Sequence, residues 1–425
     1  MPTALRHTLK KALKHERELR AGIASAGAEG SSRRAENAQR LYLDSFDSKI
    51  VAACRAGKSF PLHLRPQPTS MVRAARETNV WRLCGERVML RLEEKKTPGT
   101  YRLIYDFGVE NRTRQHLVAE CLKPRVALHP RQYASAGGGT HAAVKAVSEA
   151  IEAGSRYVAH ADINNFYSSV SPEKLAGVLP LPKRLIETVV LAKAYRLWPG
   201  WVEDQESLHQ EVNKLNTDLA SHLEDLHLLH TSVTDEFPPD FDEALGGYLA
   251  EGRLGIPAGS PVSSVVAEAL LAPVVEQISN CGVFAQYADD CMVLDTSKEG
   301  VELTLQTLRS ALKSHPAGPF SVKEKAYKLG EPFDFLGFRL TPHSGHVVIT
   351  PTKQNLLKFG RSFEWRRKQI LRVQSEPQRD VLVKRLRVFV TAWSSAFSLW
   401  DGADTHRDEH LALVKELVKA TECIT

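Results

Sequence analysis

Two short stretches place carboxylates where they could do chemistry. In Gln286-Tyr287-Ala288-Asp289-Asp290-Cys291, adjacent aspartates lie between the apolar runs Val283-Phe284-Ala285 and Met292-Val293-Leu294. That pattern predicts a β-hairpin carrying Ala288-Asp289-Asp290 at its turn. An ordinary solvated turn suits the same residues, because Asp tolerates the turn backbone. A second carboxylate shifts the balance. Asp162 ends the strand-like run Val158-Ala159-His160-Ala161, and Phe166-Tyr167 follow shortly after it. A strand-end Asp with an Asp pair on a nearby hairpin is a donor set for two-metal phosphoryl transfer, in which two ions about 3.5–4 Å apart clamp the attacking and leaving oxygens. Mg²⁺ suits such a site, since it takes a few hard oxygen ligands and lets substrate phosphates complete its shell.

The chain that must position these groups has 425 residues, 43% hydrophobic and 25% charged, the composition of a globular protein with a sizeable core. Its net charge of +6 says little about a polyanionic partner, so local clustering matters more. Six cysteines without a Cys-x-x-Cys pair argue against a zinc site or a disulfide framework and suit a reducing compartment. No apolar run approaches the roughly 20 residues of a membrane span, and no hydrophobic signal core follows the basic N-terminus. A cytoplasmic location without membrane contact is expected.

Residues 1–90 read as a basic helical extension. Leu5, Leu9 and Leu13 recur at helical spacing beside Arg6, Lys10, Lys11, Lys14, Arg17 and Arg20, and the small residues from Gly22 to Ser32 read as a flexible link. RNA binding and plain packing by the leucine stripe both suit this helix. Further on, a Pro98-Gly99 turn leads into a strand through Arg102, and Asn111-Arg112-Thr113-Arg114-Gln115 opens a helix running to Leu122. Guanidinium clusters bind phosphate through paired N–H donors, although a charge-laced surface hairpin has the same look. Gly137-Gly138-Gly139 enters a helix, as a phosphate cradle, a close approach for a template backbone, or a plain loop. Leu208 to Leu229 repeats leucines at three- and four-residue steps, predicting an amphipathic helix that docks on the core or on a second copy. Residues 351–390 hold eleven Lys or Arg against three acids, exceeding the whole chain's excess of +6. Trp365 stands among Lys358, Arg361, Arg366, Arg367 and Lys368, a basic–aromatic pattern that suits nucleic acid.

Taken together, these boxes resemble those of bacterial reverse transcriptases of the group II intron and retron type. Tyr287-Ala288-Asp289-Asp290 is similar to the family's Tyr-x-Asp-Asp box, and Asp162 with Phe166 and Tyr167 to its first palm motif. Arg102, Arg112 and Gln115 match its fingers motif, with Asn111 where the family usually has Asp. Gly255-Ile256-Pro257-Ala258-Gly259 resembles its Gly-x-Pro-Gln-Gly box, with Ala258 in place of the glutamine. Lys325 before Phe335-Leu336-Gly337-Phe338 resembles its last palm motifs, although a solvated strand lysine is the plainer reading of that residue.

The resemblance covers roughly residues 95–425 and implies an α+β right-hand polymerase. Fingers are expected over 91–155, an antiparallel-sheet palm over 156–345 with a helical insertion at 172–250, and a helical thumb over 346–425. It implies two Mg²⁺ ions held by Asp162, Asp289 and Asp290 with the Ile163 carbonyl, the three aspartates being the catalytic set. Arg102, Arg112 and Arg114 are expected at the triphosphate, Tyr167 as the gate against a 2′-hydroxyl, and Ala258 and Gly259 beside the incoming nucleotide. Lys325 would meet the pyrophosphate. The implied activity is RNA-directed DNA synthesis from dNTPs on an RNA template. The family's non-mobile defence-associated members often vary at the Ala258 box, so a partner noncoding RNA and a role in antiphage defence are expected. The residues after Phe338 are expected to be taken up by the thumb, leaving no RNase H, endonuclease or maturase segment. Template-independent or protein-primed synthesis, which Ala258 makes thinkable, and a degenerate RNA-binding scaffold are the other readings.

Overall fold

The structure, a computed structural model, describes residues 3–60, 64–94, 101–135, 138–199, 250–279, 281–328, 330–343 and 345–422. The fold is α+β, with long helices and small, mainly antiparallel sheets. Its contacts divide into two compact units that interleave along the chain. The first comprises Met1–His129, Ile163–Val274 and Arg309–Val322; the second comprises Pro130–Asp162, Val275–Leu308 and Lys323–Thr425.

In the first unit, helix Thr3–Ala28 runs straight through the glycine and alanine stretch read from the sequence as a link. Ile23 is fully buried, and burying such a side chain outweighs the roughly 1 kcal/mol that Gly22 costs inside a helix. Ion pairs fasten the same face. The buried Glu16 carboxylate accepts from Arg55 Nη1 at 3.1 Å and Tyr42 Oη at 3.3 Å, while Glu120 pairs with Arg20 at 2.7 Å and Lys123 at 2.6 Å. Residues 1–90 fall in one compact unit with residues 91–129. Strand β1 (Arg87–Glu94) pairs antiparallel with β2 (Tyr101–Asp106) and parallel with β4 (Arg196–Pro199). Their core is Val88, Leu90, Tyr105 and Phe107 with Ala194 and Tyr195. Helix Val109–Leu122 follows β2 as expected.

The second unit is built on a four-stranded sheet of order β5-β6-β3-β7, from Val283–Tyr287, Asp290–Asp295, Tyr157–Ile163 and Val322–Tyr327. β6 pairs antiparallel with both β5 and β3. Helix Gly139–Glu152 and the meander β8 (Phe333–Phe335), β9 (Phe338–His343) and β10 (His346–Pro351) share a core with this sheet, centred on Val144, Val147, Met292, Leu294, Phe335 and Phe338. Helices Lys353–Arg372, Glu376–Ala396 and Ala403–Glu422 follow, packed through Phe359, Phe363, Leu386, Val390 and Val414.

Among the described residues one helix, Pro261–Ile278, is long and apolar enough to cross a membrane, against the expectation of no such run; 67% of it is buried within the protein. The leucine repeat of 208–229 lies outside the described residues.

Candidate active site

Strand register creates the candidate centre. On one face of the sheet, three rungs run across β5, β6 and β3: Tyr287–Asp290–Asp162, then Ala285–Met292–His160, then Val283–Leu294–Val158. Residues facing one another across such rungs share a face, and so do i and i+2 along each strand. The face thus passes from a buried apolar end at Val158 and Leu294 to a charged end at Asp162 and Asp290. Asp162 is exposed, and Asp289 and Asp290 are half-buried.

The turn holding Asp289 is constrained. Ala288 takes φ +56°, a left-handed value that a β-carbon resists. Strain of this kind at a non-glycine residue persists only where surroundings impose it, and it gathers at functional sites. The brace is visible. The buried Gln286 donates Nε2 to the Ala288 carbonyl at 2.7 Å and accepts from Gln132 Nε2 at 2.9 Å. The backbone of Gln286 is pinned as well, donating to Arg131 O and accepting from Tyr133 N, both at 2.9 Å.

His160 has a role the motif reading missed. Its Nε2 hydrogen-bonds Asp290 Oδ1, and this bond raises the imidazole pKa, with burial opposing and the Asp290 and Asp162 charges adding. Period-two alternation already put His160 on the face of Asp162; only the register brought Asp290 within its reach. Cys291, one residue on, points to the opposite side and is fully buried. Burial, with the charges of Asp290, Asp289 and Asp162, holds its thiol well above the ordinary value. It stays protonated and offers no soft thiolate to compete for a hard cation. Lys325, exposed on β7 beside β3, sits 4.8 Å from the centre of the Tyr327 ring and close enough to His160 to oppose its protonation.

Among the described residues no three His, Cys, Asp or Glu side chains converge tightly enough to cage an ion by themselves. Paired carboxylates on adjacent strands still fit Mg²⁺, which relies on one or two carboxylates plus substrate phosphates rather than on an all-protein cage. The donor set is hard oxygen throughout. Ile163, whose carbonyl was expected to assist, closes β3 with its side chain buried.

Asp162, Asp289, Asp290 and Lys325 thus fall in the second unit, and the other expected nucleotide contacts in the first. There, β3 ends at Ile163 and Asn165 takes φ +46°, which places Phe166 and Tyr167 on a one-turn helix. Phe166 is core and Tyr167 is half-exposed. The Gly255 loop docks on this turn, with Ile256 N donating to Tyr167 O at 2.9 Å. Gly255 sits at φ +55°, where a β-carbon would meet Tyr167 O at 2.0 Å. Ala258 is half-buried and Gly259 exposed in the same loop.

The arginines differ from one another. Arg102 lies on β2 opposite Glu93. Arg112 is half-buried, with Nε on Phe107 O at 2.9 Å, Nη1 on Ser59 Oγ at 2.9 Å, and its guanidinium 4.3 Å over the Phe60 ring. Arg114, expected at the triphosphate, is 1% exposed, and its Nη2 donates to Arg82 O and Thr188 O. It braces the helix to the core and is out of a phosphate's reach, a correction that follows from the helix turning its 111, 114, 115 and 118 face inward. Gln115 on that face bonds Tyr195 Oη at 2.9 Å.

The basic C-terminal region sorts by helical face. Phe359, Phe363 and Ile370 of Lys353–Arg372 point inward. Lys358, Arg361, Trp365, Lys368 and Arg372 are exposed and recur at alternating three- and four-residue steps, which makes one outward stripe. Arg366 turns aside to lie 4.2 Å over the Phe389 ring, and Arg367 pairs with Glu364 at 3.2 Å.

No protein-family model matches this chain, and no curated protein matches it.

Proposed function

We propose that this chain is an RNA-directed DNA polymerase with a right-hand architecture, the four-stranded sheet serving as palm and the three C-terminal helices as thumb. The observation that carries the reading is the rung that sets Asp162 opposite Asp290, with Asp289 on a braced, strained turn beside them. Neighbouring strands thereby present two carboxylates at the end of one sheet face, and the adjoining turn carries a third. A protein that only bound nucleic acid would gain nothing from clustering acids there, since phosphate repels them.

Asp162, Asp289 and Asp290 would hold two Mg²⁺ ions, with the Ile163 carbonyl assisting. Bound there, the metals supply activation of a primer 3′-oxygen and neutralise charge developing on the leaving pyrophosphate. The chain's own residues do the rest. Arg102 would hold the triphosphate through paired N–H donors, and Arg112, whose Nε and Nη1 are taken by Phe107 O and Ser59 Oγ, would add its positive charge. Lys325 supplies a cation, and a proton, at the pyrophosphate. Tyr167 fills the volume a 2′-hydroxyl needs, while Gly259 leaves backbone open to the incoming base. Lys358, Arg361 and Lys368 neutralise phosphates of the template–product duplex, with Trp365 offering a stacking surface. The substrates on this reading are dNTPs and an RNA template, and a partner noncoding RNA copied in antiphage defence is the proposed setting. Ala258, where the resembled box has a glutamine, favours template-independent or protein-primed synthesis as the second reading.

Purified protein with its bound nucleic acid, supplied with labelled dNTPs or NTPs and Mg²⁺, tests both. A DNA product from dNTPs alone, absent in Asp289→Ala/Asp290→Ala and complementary to a copurified RNA, is the expected result. A DNA product without complementarity moves the assignment to the second reading. No product from either nucleotide set, despite tightly bound RNA, overturns the polymerase reading.

A further inference from the structure

We infer that His160 is a positioning residue for the metal site, holding one oxygen of Asp290 so that the other faces the cation. The inference rests on the polymerase reading above and adds a residue that its motifs do not contain.

The geometry is specific. Asp290 begins β6 with its backbone fixed on both sides, by Tyr287 of β5 and by Asp162 of β3. Only its side-chain torsions remain to be set. Asp162 stands directly opposite, and two carboxylates facing each other across a strand pair repel one another. An unrestrained Asp290 would swing toward solvent, being 27% exposed. His160 prevents this from one rung below. Its Nε2 bonds Asp290 Oδ1, and because a carboxylate can only accept, Nε2 carries the hydrogen.

The ring is itself held. It stands edge-to-face on Phe335, with centroids 6.4 Å apart and planes at 76°, and Phe335 is 1% exposed in the core beneath. The core thus orients the imidazole, the imidazole orients Asp290 Oδ1, and Oδ2 is the oxygen left to ligate. Outer partners of this sort typically change metal affinity by about 10–100-fold when removed. A latch predicts the reverse: if His160 competed with the cation for Asp290, its removal would tighten binding.

The test is direct Mn²⁺ binding to the full chain, read from the electron paramagnetic resonance signal of free Mn²⁺, alongside the Mg²⁺ dependence of primer extension. Asp290→Asn fixes the baseline. His160→Phe keeps the ring on Phe335 but has no donor, and His160→Asn keeps polarity but is too short to reach Asp290. Both are expected to weaken Mn²⁺ binding at least about tenfold, whereas His160→Gln, whose amide N–H can occupy the Nε2 position, should stay within about threefold of wild type. Metal-free melting of each variant separates this effect from lost folding. His160→Phe or His160→Asn binding Mn²⁺ as well as wild type, or more tightly, overturns the inference while the Asp290 baseline leaves the polymerase reading intact. Wild-type protein with no Asp290-dependent Mn²⁺ binding overturns both.

Discussion

The helix that presents Arg112 depends on a half-buried carboxylate at its start, and Gly108 is there to make room for it. Glu86 accepts the backbone N–H of Asn111 at 2.7 Å and of Glu110 at 3.2 Å, capping helix Val109–Leu122 from outside the helix. A β-carbon on Gly108 would come within 2.1 Å of Glu86 Oε1, so Gly108→Ala must expel the carboxylate. Gly108 has extended backbone that alanine adopts freely, which leaves the steric term alone. Losing two helix-end bonds costs about 2 kcal/mol. That corresponds to roughly a 30-fold rise in local opening. Hydrogen exchange across 109–122 measures it, and Glu86→Ala should reproduce the rise. In the Glu86→Ala background, Gly108→Ala should then add only a few tenths of a kcal/mol, giving a coupling of about 2 kcal/mol in the cycle. Equal effects of Gly108→Ala in both backgrounds, or exchange within threefold of wild type, would refute the capping argument.

Burial pushes the Glu86 carboxyl up from 4.5 to about 7, against the lowering effect of the two backbone N–H groups. The folded form holds its proton more tightly than the unfolded form, so this stabilisation is complete below pH 4.5 and is lost as pH rises through 7. The loss is about 3 kcal/mol, and urea unfolding of Glu86→Ala should lack that component of the pH slope. Gly255→Ala must adopt φ +55° and collide with Tyr167 O, so it should cost at least about 2 kcal/mol in urea unfolding and raise the KM for dNTPs. The triple variant Lys358→Ala/Arg361→Ala/Lys368→Ala should reduce the slope of log affinity for nucleic acid against log salt by about 2–3, with no loss of stability. Arg366→Ala should do the opposite, lowering stability through its lost contact with Phe389 while the salt slope changes by less than one.

Much of the local architecture was legible because hydrophobic period and turn chemistry act over short range. The hairpin around Asp289 and Asp290, the strand ending at Asp162, the helix to Leu122 and the helical C-terminal region all appear where those patterns put them. The misreadings share a cause: a local signal met a tertiary one. Gly22 to Ser32 has the composition of a link, but buried Ile23 and the Glu16 ion pairs carry helix to Ala28. Arg114 looks like a phosphate ligand beside Arg112, yet two positions along a helix turn it by 200°, into the core.

Sequence by itself determined which chemistry is possible here, because carboxylates, their strand ends and the basic–aromatic stripe are properties of short segments. Tertiary structure alone decided which groups meet. Asp162 and Asp290 lie 128 positions apart, and only the β3–β6 register sets them opposite each other. The same register brings His160 to Asp290, and Gln132 reaches Gln286 across a similar gap to brace the Ala288 turn. Register depends on how two apolar faces fit together, and a one-residue slip would have turned Asp290 to the opposite face.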